Sequence, residues 1–122
     1  GAARAAEERR FVMPRTAVEE VLAGIWRDVL QVDRVGATDD FFDRGGHSLL
    51  ATQVMWRVYE TFQVELPLRQ LFESATIEHF AAALERADPV PGRIQAVARV
   101  RQRVSRLSPE EVQRLLREKS VG

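Results

Sequence analysis

Apolar residues recur along this chain in separated stripes at helical intervals. Val18, Val21, Leu22, Ile25, Trp26 and Val29 fall at i, i+3, i+4, i+7, i+8 and i+11, the signature of a helix with one buried face. Thr16-Ala17-Val18-Glu19 supplies a capping box at its start, so a first helix is predicted from about Ala17 to Leu30. A second is predicted from Ser48 to about Phe62. There Leu50, Ala51, Val54, Met55, Val58 and Phe62 share one face within roughly 140° and form its core side. Leu49, Thr52, Gln53, Trp56 and Glu60 lie opposite, which leaves Leu49 and Trp56 as an exposed apolar pair.

Val64-Glu65-Leu66-Pro67 breaks the pattern. Leu68 to Phe72 has room for one or two turns, with Pro67 at its first position and Leu68, Leu71 and Phe72 turned inward. Ser74-Ala75-Thr76 opens a fourth helix, striped by Ile77, Phe80, Ala81 and Leu84 and stopped at Asp88-Pro89. The fold class is therefore all-α: a small four-helix bundle over residues 16–87 with a short third helix. Core burial at that size gives only marginal stability.

The connection from Gln31 to Arg44 is long for so small a bundle, and such loops are functional or pinned by their own side chains. It carries Asp33, Asp39, Asp40 and Asp43. Their spacing does not fit a calcium loop of the EF-hand kind, so they are expected to make local turns. Phe41 and Phe42 are expected to anchor the loop in the core.

Residues 1–15 read as a linker, with a nascent helix from Ala2 to Arg10 and with Phe11 and Val12 as a latch onto the body. Pro89 to Gly92 reads as a hinge. Beyond it, residues 88–122 form a partly helical basic extension. Ile94, Val97, Arg101 and Val104 recur at helical spacing, and Ser108-Pro109-Glu110-Glu111 gives an N-cap with a proline at N1 and a glutamate three residues on. Val112, Leu115 and Leu116 then share one side. Each of these two pieces is marginal alone. They suit docking to another protein chain, a linker to a further domain, or a tail folded onto the body.

The 18 basic and 18 acidic residues cancel, which argues against a bulk-basic nucleic-acid binder. The balance is uneven along the chain. Residues 16–87 hold 6 basic and 12 acidic residues, residues 88–122 hold 8 and 4, and the first 15 hold 4 and 2. An acidic body thus lies between basic ends. Five arginines lie within residues 93–106, which suits protein docking as well as any other acidic surface. There is no cysteine, hence no thiolate of the chain's own. No apolar run approaches a membrane span, and the Arg- and Glu-rich start lacks a signal-peptide core. A cytoplasmic location with no membrane or nucleic-acid partner is expected.

One stretch organises the rest: Phe41-Phe42-Asp43-Arg44-Gly45-Gly46-His47-Ser48-Leu49. Two glycines allow a sharp approach to the second helix and leave the backbone beside Ser48 unobstructed. Ser48 would sit at the positive end of that helix, as its N-cap or as an acceptor of a phosphate group. A hydrolase with Ser48 as nucleophile and His47 as base is a weaker alternative, because neighbouring residues rarely share the geometry and an orienting acid and oxyanion hole are also needed. The other histidine, His79, has no evident role.

This motif resembles the attachment site of peptidyl carrier (thiolation) domains of nonribosomal peptide synthetases, and the resemblance covers roughly residues 14 to 87. It implies a covalent 4'-phosphopantetheine on Ser48, installed by a phosphopantetheinyl transferase from coenzyme A with magnesium. The arm's thiol then carries aminoacyl or peptidyl thioesters to adenylation, condensation or thioesterase-type domains. It implies that Asp43, Gly45, Gly46 and His47 shape the attachment loop and that Leu49 and Thr52 meet partners; Trp56 departs from the small or polar residue expected there, which leaves it either a further partner contact or a lid over the arm. Residues 93–120 are a candidate docking element. The chain itself would not be a catalyst. Gly-Gly-His-Ser looks more like a peptidyl than an acyl carrier. An acyl carrier of a polyketide or hybrid synthase, or a docking bundle in which Ser48 is only a cap, are the alternatives.

Overall fold

The computed structural model describes residues 11–121, and the expected Ala2–Arg10 helix lies outside them. Among the described residues six helices follow in order: α1 (Ala17–Leu30), α2 (Ser48–Phe62), α3 (Arg69–Glu73), α4 (Ile77–Ala87), α5 (Arg93–Ser105) and α6 (Pro109–Val121). Among the described residues the only extended pairing is a single bridge between Asp40 and Thr76. The all-α carrier-like bundle expected from the stripes is what forms.

Helix α1 starts where its capping box placed it. The Glu19 amide donates to Thr16 Oγ1 at 3.1 Å, while the Glu19 carboxylate accepts from the amide of Arg15, one residue further back than Thr16. Val18, Leu22, Ile25, Trp26 and Val29 are buried, and α1 packs against α2, α4 and α5. Trp26 is wholly buried, with Phe41 against it edge-on at 5.1 Å. Its indole N–H has no hydrogen-bond partner among the described residues, so apolar contact has to offset the desolvation of that group.

The core continues past Ala87. Ile94 and Ala98 of α5 are buried in the same cluster as Leu22 and Trp26. Burying an isoleucine stabilises by about 1.5–3 kcal/mol, so α5 is held by packing although it is polar overall and carries four of the five arginines of residues 93–106. The segment expected to hinge is clamped. Asp88 is buried and accepts from Arg93 Nε at 2.6 Å and from the Val90 amide at 3.0 Å. Arg93 Nη2 donates to the Phe62 carbonyl at 2.7 Å, tying α5 to the end of α2. Helix α6 is different: none of its described side chains is buried.

Two expectations for α3 fail. Its first residue is Arg69, two beyond Pro67, and only Leu71 turns inward. Leu68 precedes the helix, and both it and Phe72 are half exposed because the five residues of α3 give little more than one turn, too little arc to bury Phe72 beside Leu71. Phe72 stacks instead on Phe42, with ring centroids 4.8 Å apart.

Candidate functional site

The loop between α1 and α2 is pinned along its length. Ala37 donates to the Val12 carbonyl at 2.7 Å, and Arg34 lies over the Phe11 ring, so Phe11 and Val12 do latch the N-terminal segment to the body. Glu78 donates to the Ala37 carbonyl and Phe41 to the Ala75 carbonyl, at 3.0 and 2.8 Å, which ties the loop to the start of α4. The aspartates act locally, as expected. Asp39 Oδ2 accepts from the Gly36 amide and from Arg44 Nη1 at 2.8 and 2.7 Å, and Arg44 Nη2 donates to the Arg34 carbonyl. Asp40 Oδ1 accepts from the amides of Phe42 and Asp43 at 2.8 and 3.1 Å. This is an Asx turn.

Asp43 is exposed, and its carboxylate has no partner among the described residues. The neighbouring Asp39, Asp40 and Arg44 hold the loop's shape. Sequence reasoning gave Asp39 and Asp40 only a generic turn role and gave Arg44 none. The two-residue step from Asp40 to the Phe42 amide was a readable signal; the span from Arg44 to the Arg34 carbonyl was not.

Phe41 is fully buried, while Phe42 sits at the rim between Phe41 and Phe72. The two phenylalanines therefore do different work, one anchoring in the core and the other carrying the chain of rings outward to α3. Gly45 has φ +103°, a conformation that disfavours any side chain, and Gly46 follows directly over the Phe41 ring.

Ser48 is not the N-cap of α2. His47 occupies that position in extended backbone, with no side-chain capping bond, and Ser48 is the first helical residue. The consequence is chemical. Ser48 is exposed, and its Oγ makes no hydrogen bond among the described residues. The first amides of α2 are likewise uncapped by any side chain, so they and the helix dipole face the solvent beside a free hydroxyl. An anionic phosphate on that oxygen is favoured there. His47 and Ser48 share no hydrogen bond.

Along the outer side of α2, Leu49 and Trp56 are 65% and 62% exposed, as the stripe analysis predicted. Thr52 is exposed between them and donates to the Ser48 carbonyl at 3.0 Å. Tyr59, 40% exposed, lies beside Trp56. A free hydroxyl at a helix start, an unobstructed glycine approach and an apolar strip leading away from it are thus assembled on one end and one face.

A model of the phosphopantetheine attachment site family matches residues 20–84, a span that includes this whole arrangement. The chain belongs to that family. Its likeness within the family is to the peptidyl carrier domains of nonribosomal peptide synthetases. A linear gramicidin synthase polypeptide of Brevibacillus parabrevis is 56% identical over 82 residues, which cover 64% of this chain and 2% of that protein. The chain therefore spans only about a fiftieth of that relative's length. A peptidyl carrier protein structure, solved with the phosphopantetheine transferase Sfp and coenzyme A, is 46% identical at a TM-score of 0.60. It covers 61% of this chain and 96% of that one. A non-covalent extended docking domain complex, PaxA T1-CDD/PaxB NDD, is 28% identical at a TM-score of 0.61. That match extends over 89% of this chain and 90% of the other, so it must reach beyond the body into residues 88–122. The cofactor of the family is 4'-phosphopantetheine, and the residues around Ser48 fit it: an accessible hydroxyl, free helix amides, and at Gly45 open space within 4 Å of where a side chain would begin.

Proposed function

We propose that this chain is a non-catalytic peptidyl carrier whose Ser48 receives a 4'-phosphopantetheine arm and whose exposed α2 face presents the arm to catalytic domains. The observation that carries this is the free, exposed Oγ at the uncapped start of α2. In the attachment reaction Ser48 Oγ loses its proton and bonds to the pantetheine-bearing phosphorus of coenzyme A. The pyrophosphate bond breaks, and adenosine 3',5'-bisphosphate leaves to balance the exchange. When attached, the arm supplies the thiol that this cysteine-free chain lacks. The chain's own work is to hold Ser48 in place and to raise the local concentration of cargo at each partner site.

In this proposal Gly45 and Gly46 shape the approach to Ser48, with Asp43 and His47 available to the transferase on the exposed side of the loop. Leu49, Thr52 and Trp56 are partner contacts. The partners are a phosphopantetheinyl transferase and adenylation, condensation or thioesterase-type domains, all in the cytoplasm with coenzyme A. Residues 1–15 serve as a linker, 16–87 as the carrier unit with α5 braced on it, and 93–120 as a docking element. The docking role is supported by the length of the match to the PaxA/PaxB complex. It is supported too by the apolar side chains Val104, Leu107, Val112, Leu115 and Leu116, which line an open cavity of about 760 Å³.

Intact-mass measurement after treatment with coenzyme A, magnesium and a broad-specificity transferase tests the attachment point. The expected result is one phosphopantetheine mass on the wild type and none on Ser48→Ala. A modification that survives the substitution would remove Ser48 from the role.

A further inference from the structure

A groove of about 540 Å³ runs between α1 and α2, lined by Asp28, Val29, Thr52, Gln53, Trp56 and Arg57 among others. Resting on Ser48 as the attachment point, we propose that the distal half of the phosphopantetheine arm folds back into this groove against Trp56 whenever no partner domain holds it.

The path is set by helix geometry. Ser48, Thr52 and Trp56 stand at i, i+4 and i+8, and such a row drifts by about 40° per step around the helix. The row leads from the attachment point at the start of α2 diagonally to the mouth of the groove, about 12 Å along the axis at 1.5 Å per residue. The arm, with its phosphate, pantoate, β-alanine and cysteamine units in series, is longer than that when extended. Its far end therefore has chain to spare for entering the groove.

The lining matches the arm's chemistry. Pantetheine is a linear chain of amides separated by methylene groups. Trp56 and Val29 offer an apolar wall for the methylenes. Thr52 uses its proton on the Ser48 carbonyl, so its oxygen lone pairs still face the groove, and Gln53 brings both a donor and an acceptor. The Asp28–Arg57 pair, 3.0 Å apart, bridges the two helices at the lining of the groove. Trp56 is 62% exposed although it is the largest side chain on this face. A tethered ligand that needs no second molecule to arrive is a fitting cover for it.

Two-dimensional nitrogen–proton spectra test this on protein loaded at Ser48, with loading confirmed by mass. The two tryptophans give two indole signals, and Trp26, buried in the core, serves as the internal reference. On loading, the Trp56 indole is expected to shift while that of Trp26 stays, with nuclear Overhauser contacts between the Trp56 ring and the cysteamine and β-alanine methylenes. Trp56→Ala should abolish the contacts and lower the folded-back population about threefold, as loss of one aromatic contact implies. Trp56→Phe should retain most of it. Full loading with shifts confined to residues 45–50 would overturn the fold-back and leave the attachment intact. Failure to gain mass at all would overturn the attachment, and this proposal with it.

Discussion

Gly46 lies directly over the ring of Phe41: a Cβ placed on it would stand 2.3 Å from both Cδ2 and Cε2, and 2.7 Å from the Phe41 carbonyl oxygen. The Gly46 amide also donates to that carbonyl at 3.0 Å. Since Phe41 is locked between Trp26 and Phe42, neither partner can give way cheaply. The position of Ser48 two residues later follows from this contact.

Gly46→Ala should therefore destabilise the fold by about 1–3 kcal/mol, the usual cost of overpacking, and slow modification of Ser48. Gly45→Ala meets no atom within 4 Å, but its φ of +103° is strained for any side chain, at a cost of about 1–3 kcal/mol. Urea unfolding of both variants, with transferase rates measured on each, checks this. A Gly46→Ala protein as stable and as readily loaded as the wild type would contradict it.

Leu49 has no structural duty comparable with its exposure. Leu49→Ala is expected to leave stability within about 0.5 kcal/mol and to weaken partner reactions about tenfold, as loss of an apolar hot spot does. Loading by the transferase and aminoacylation by a cognate adenylation domain, each measured as kcat/KM, provide the comparison. Equal rates in variant and wild type would take Leu49 out of the partner surface.

Removal of the Asp88 carboxylate should uncouple α5 from the body. Asp88→Ala leaves Arg93 without its 2.6 Å partner at a largely buried position, and a charge-assisted hydrogen bond of this kind contributes about 1.5–3 kcal/mol. A lower thermal midpoint, together with faster amide exchange in residues 93–98 than in α2, is the expected pattern. Uniform exchange across both helices would show that the clamp does not hold α5.

Helix α6 should lose helicity in acid. The amide and hydroxyl of Ser108 bond with Glu111 in a reciprocal capping box, both at 3.1 Å. Hydrogen bonds from the Ser108 amide and hydroxyl, with nearby Arg114, hold the Glu111 carboxyl below its ordinary value. A depressed carboxylate pKa stabilises the folded helix above the unfolded value, and that contribution is lost as pH falls through the folded one. The Ser108 amide resonance should track this titration, and Glu111→Ala should remove it. An amide shift indifferent to pH would exclude the capping bond.

Helix periods are local properties, so α1, α2 and α4, the outward Leu49 and Trp56, and the capping boxes at Thr16 and Ser108 could all be read from the order of residues alone. The motif from Phe41 to Leu49 likewise pointed by itself to Ser48 and the family's arm. What needed the tertiary structure were contacts between residues distant in sequence, or choices of a single position at an element's end. Ile94 stood on the stripe predicted for α5, but that it and Ala98 complete the core of the bundle depends on distant contacts, with Arg93 reaching both Asp88 and the end of α2. Phe72 faces outward because α3 has only one turn and Phe42 offers it a stacking surface. Ser48 moved from N-cap to first helical residue because Gly46, pressed on Phe41, sets where the chain enters α2 and leaves His47 in the extended capping position. Spacing can name the residue that bears the hydroxyl, but only close packing decides whether that hydroxyl is consumed by the helix or left free.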